Sequence, residues 1–115
     1  MDMNVKGEVY IDSDDALKRV GGNMGLYKKL LGRFVDGNYL EAIENALGSG
    51  NMEESAKQVH TLKGVSANLS LVKIRALSVE LEGKIHSGED HAGCLDELRG
   101  AFAATREKIS ELTGS

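Results

Sequence analysis

The sequence predicts an all-α fold, an antiparallel four-helix bundle with a short additional N-terminal helix, built from one domain over residues 1–115. Three observations carry this expectation. Apolar residues recur every three or four positions through four long segments. Glycines and Asn, Asp or Ser residues punctuate those segments where caps belong. No stretch alternates β-branched and polar residues between hairpin turns, so strands are not expected. Each long helix carries one apolar stripe that it cannot bury alone, and short loops make sequential neighbours antiparallel.

In chain order, Asp12 or Ser13 opens a short helix through Ala16, Leu17 and Val20, which Gly21-Gly22 closes. Asn23 caps the next segment, whose Leu26, Tyr27, Leu30, Leu31 and Phe34 follow helical spacing. Asp36-Gly37-Asn38 bends it, but Leu40, Ile43 and Leu47 resume the period, so one long kinked helix is expected up to Gly48-Ser49-Gly50. Asn51, with Glu54 three residues on, makes a capping-box-like start for a helix that runs to about Leu69. Ser70 is the expected cap of a fourth long segment bearing Leu71, Ile74, Leu77, Leu81 and Ile85, ended by Ser87-Gly88. Asp90 opens the last helix, where Leu95, Leu98, Phe102, Thr105, Ile109 and Leu112 alternate steps of three and four.

Composition narrows the function. With 14 Lys+Arg against 18 Asp+Glu the net charge is −4, which argues against a nucleic-acid footprint. No apolar run reaches membrane-spanning length and the amino terminus lacks a signal-peptide layout, so a cytoplasmic monomer without membrane contact is expected. One cysteine excludes an internal disulfide framework. His86, His91 and Cys94 match no familiar metal-ligand spacing, so no metal is expected and Cys94 reads as a small semi-buried helix residue.

The segment over residues 51–69 holds the informative residues. Val59, Leu62, Ser66 and Leu69 share one face, which must be the buried one. His60 lies about 100° away, and its surface neighbours at three and four positions are Ala56, Lys57, Lys63 and Gly64. A glycine in a helix interior costs about 1 kcal/mol relative to alanine, so Gly64 needs a reason. One reason is clearance for a second macromolecule approaching the imidazole, with the lysines drawing an anionic group toward it. The alternatives stay open on spacing alone: a solvated surface histidine, and a glycine at a close helix crossing. The acidic residues Asp14, Asp15, Glu53 and Glu54 read as first-turn charges that suit helix amino termini.

The run from His60 through Lys63, Gly64 and Asn68 to Ser70 resembles the signature of the histidine-containing phosphotransfer (HPt) domains of phosphorelays. Upstream, Ile11-Asp12, Ala16-Leu17, Gly21-Gly22-Asn23, Leu26-Tyr27, Leu30-Leu31 and Phe34 resemble that family's opening helices, so the similarity spans roughly residues 9–88. The resemblance implies a helical bundle without cofactor. It implies that His60 accepts a phosphoryl group from a receiver-domain aspartate of a response regulator and passes it to another receiver. By the same likeness Lys63 neutralises that group, Gly64 clears the docking surface, Lys57 supplies a further basic residue, and Glu82 on the facing helix orients the imidazole. Ser70 departs from the usual glycine.

The implied partners are receiver domains and a hybrid sensor histidine kinase. With no Gly-rich phosphate loop, the chain reads as a phosphotransfer intermediate without ATP-dependent kinase activity of its own. Two other readings share the likeness: a non-transferring module that binds or inhibits a histidine kinase, and a phosphoacceptor domain attached to a kinase. Tyr27, Leu31 and Phe34 give more apolar width than one stripe requires, which fits either a receiver contact or core padding.

Overall fold

Side-chain caps set the start of three helices in the computed structural model, which describes residues 4–5 and 8–114. The Asp12 carboxylate accepts from the Asp15 N–H at 3.1 Å, opening α1 (Ser13–Arg19). Asn23 accepts from Leu26 at 3.0 Å, opening α2 (Met24–Asp36). Asn51 does the same for Glu54 at 3.0 Å, opening α4 (Met52–Asn68). Here the box is one-sided, because the Asn51 N–H is already bonded to the Ala46 carbonyl that closes the preceding helix. The Glu54 carboxylate instead accepts from Gln58.

The expected long helix over residues 23–47 is two helices, α2 and α3 (Tyr39–Gly48). Asn38 adopts a left-handed conformation with φ of 54°, which a continuing helix cannot contain. Tyr39 folds back over Gly37, where any Cβ would collide with its ring, and stacks on Phe34 at 5.3 Å between centroids. Sequence period survives this break because both helices present their stripes to the same core.

Helix α5 spans Val72–Ser87 and α6 spans Ala92–Thr113. Around the bundle α3 packs on α4, α4 on α5, α5 on α6, and α6 returns to α2, with α1 against α2. Ile43, Val59, Leu62, Leu71, Ile74, Leu81 and Leu98 are all inaccessible to solvent at its centre. Thr105 is buried with them and its hydroxyl has no partner among the described residues. A short antiparallel pair, β1 (Asn4–Val5) and β2 (Glu8–Val9), sets Asn4 opposite Val9. Two residues per strand are too few to leave an alternation signal, which is why sequence reading missed them.

One open alternative closes and one further expectation changes. Tyr27, Leu31 and Phe34 are core residues, at most 3% exposed, so they offer nothing to a partner. Ser70 does not cap α5, whose N-cap residue Leu71 makes no side-chain cap bond. Ser70 is instead the left-handed residue that ends α4, with φ of 58°. The Leu71 N–H bonds the Ser66 carbonyl and the Ser70 N–H bonds that of Ala67, the paired bonds of a Schellman turn. Asp90 sits one residue ahead of the N-cap position and accepts from the Ala92 N–H at 3.1 Å.

Candidate functional site

Helix α4 turns Ser55, Val59, Leu62 and Ser66 into the core, and α5 does the same with Ile74, Leu77, Ser78, Leu81 and Ile85. The buried hydroxyls of Ser66 and Ser78 each donate to the carbonyl four residues back, so neither leaves an unpaired polar group. These two helices are the most closely packed pair in the molecule. A side chain on the rim of one can therefore reach the rim of the other.

His60 stands on that rim with 70% of its side chain exposed. Its Nδ1 lies 3.1 Å from Oε2 of Glu82 on α5. The ammonium of Lys63, one turn along α4, donates to Oε1 of the same carboxylate at 2.7 Å. Glu82 is only 15% exposed, and the Lys63 hydrogen bond, reinforced by His60 against the opposing effect of burial, holds its carboxyl below the usual range. An ionised carboxylate only accepts, so a neutral His60 facing it carries its proton on Nδ1 and its lone pair on Nε2.

The structure thus brings His60, Lys63 and Glu82 together. Lys57 and Gly64 flank them on α4 without touching Glu82. Lys57 is exposed and pairs with no acid among the described residues. Gly64 is exposed, and a Cβ added there would meet nothing within 4 Å, so no helix crossing explains this glycine. Sequence reading placed both lysines beside the imidazole. It missed that the Lys63 charge is matched by Glu82, because a contact across 19 residues has no local signal. It also missed the link from Ser70 to α1, where the hydroxyl donates to Asp15 at 2.7 Å.

Cys94 is buried with its thiol pushed up to about 12, chiefly by burial, and it lies against the Leu77 carbonyl. Among the described residues no three His, Cys, Asp or Glu side chains are grouped to hold a metal ion, and no helix is long and apolar enough to cross a membrane.

The sequence model of one family, described as the Hpt domain, matches residues 36–108, more than half of the chain. The chain is a member of the Hpt domain family. The match runs from the end of α2 well into α6 and includes His60, Lys63, Gly64, Ser70 and Glu82. It starts and ends later than the 9–88 stretch of likeness in the sequence, leaving α1 and nearly all of α2 outside. No curated protein and no solved structure matches the chain significantly. As an Hpt domain the chain has a histidine phosphotransfer role in a phosphorelay, and Hpt domains generally interact with receiver domains and histidine kinases.

Proposed function

We propose that this Hpt domain carries a phosphoryl group between two receiver domains on Nε2 of His60, acting in the cytoplasm. The observation that supports this is the exposed imidazole whose Nδ1 faces an ionised carboxylate. The Nε2 lone pair attacks the phosphorus of a receiver's aspartyl phosphate. The acyl P–O bond breaks and its electrons leave on the aspartate carboxylate, while an N–P bond forms. The ring becomes formally cationic and keeps its Nδ1 proton, so Glu82 stabilises charge that develops during transfer. The return step reverses these bonds, with the second receiver's aspartate as the attacking oxygen.

Lys63 has three donors and spends one on Glu82, leaving two for phosphoryl oxygens. Lys57 adds an unmatched positive charge one turn away. Gly64 leaves the backbone bare beside the nucleophile for the receiver to approach. The domain contributes a positioned nucleophile, and the receiver contributes its own phosphorylation site.

Replacing His60 with Gln tests the assignment. Acid-labile labelling by a phosphorylated receiver is expected to vanish, while helical circular dichroism and melting temperature change little because the ring is mostly outside the core. Labelling at the wild-type level in that variant would reject the proposal.

A further inference from the structure

Seven residues along a helix return to nearly the same face, about 10 Å further on. From His60 that step reaches Ala67, and from Glu82, counting back along α5, it reaches Arg75. Ala67 and Arg75 line one cleft of about 290 Å³ at the α1–α4–α5 corner, which confirms that α4 and α5 run antiparallel. Asp15, Arg19, Ser70 and Val72 also line it. The cleft therefore lies on the same side of the bundle as the imidazole, at a distance well inside the footprint of one ordinary protein interface.

Two features of this corner bear on docking. The first is that its floor is tied down. Ser70 donates its hydroxyl to Asp15 and its carbonyl accepts from the Asp12 N–H at 3.0 Å, while Arg19 donates to the same Asp15 oxygen at 3.0 Å. The left-handed Ser70 joins the end of α4 to the first turn of α1 by these bonds. The second feature is an unmatched cation. Arg19 is neutralised by Asp15, whereas Arg75 is exposed and has no acidic partner among the described residues.

Resting on the phosphotransfer role proposed above, we infer that this cleft is a second contact point for the receiver, in which Arg75 binds a carboxylate on the receiver surface. Arg75 is a specificity-determining residue remote from the reacting atoms. It acts on how tightly and in what register the receiver docks. A planar guanidinium over a preformed cleft suits bidentate carboxylate recognition. A rim charge of this kind tunes encounter and partner choice more than the chemical step.

Steady-state transfer tests this, from a phosphorylated receiver that labels the wild-type chain, through His60, to a second receiver held in excess as acceptor. Loss of an exposed ion pair corresponds to about a threefold rise in the KM for the receiver in Arg75→Gln. Charge reversal in Arg75→Glu adds repulsion and raises KM roughly tenfold or more. The turnover number is expected to stay within about twofold and Arg75→Lys to recover most of the wild-type KM. Labelling by phosphoramidate, whose P–N bond breaks with loss of ammonia as Nε2 is phosphorylated, needs no receiver and serves as the control. Identical KM values in all four proteins would overturn the inference, and so would a parallel loss of phosphoramidate labelling, which would place the defect at the nucleophile. Failure of the His60 assignment reads differently, as receiver labelling that persists in His60→Gln.

Discussion

At Glu82 one carboxylate serves two donors, the Lys63 ammonium and the His60 ring. Its folded-state value lies below the ordinary carboxyl value of 4.5, mainly because of Lys63. The sign follows from linkage: stabilisation from this group is complete above the unfolded carboxyl range and fades as pH falls through the lower folded value. Wild type is therefore expected to melt higher than Glu82→Gln at neutral pH, with the gap closing in acid below the carboxyl range. A gap that persists there would refute the ion-pair account. In transfer assays the same variant can still accept the Nδ1 proton but offers no charge to the developing imidazolium. A loss of about tenfold in rate, or about 1.4 kcal/mol of barrier, is expected. The residue types at this site were legible in the sequence. The pairing of Lys63 with Glu82 was not, because it depends on how two helix rims meet.

On the scale of an element, the end of α4 shows how a residue type can be misread when its backbone is unknown. Serine before an apolar stripe signals an N-cap, and that was the expectation for Ser70. The same serine is the left-handed residue of a Schellman turn, a position where glycine carries no Cβ penalty. What serine offers instead is a hydroxyl that reaches Asp15 on α1. Ser70→Ala keeps the left-handed strain and loses the hydroxyl, whereas Ser70→Gly loses the hydroxyl but relieves the strain. The alanine variant is expected to be less stable than the glycine variant by about 1 kcal/mol in chemical denaturation. Amide exchange in α1 should accelerate in both. Equal stability of the two variants would contradict the backbone reading.

For the whole molecule, Gly64 sets stability against docking. It sits in the interior of α4 with open space around its missing side chain, so Gly64→Ala is expected to stabilise the fold by about 0.5–1 kcal/mol in thermal unfolding. The larger Gly64→Gln is expected to slow transfer from a phosphorylated receiver while the fold stays intact. Wild-type transfer rates in the glutamine variant would show that clearance there is irrelevant. Sequence alone determined the helical class, the buried stripes of α4, α5 and α6, and the placing of His60 outside the core. These follow from periodicity, which the chain carries locally. Only the tertiary structure decided that residues 23–47 form two helices, that Tyr27, Leu31 and Phe34 belong to the core, that Lys63 is matched by Glu82, and that Ser70 ties α4 to α1. The last three are contacts with residues distant in the chain, so no local pattern encodes them, whereas the break at Asn38 is a local backbone angle that the Asp36-Gly37-Asn38 bend signal marked without fixing.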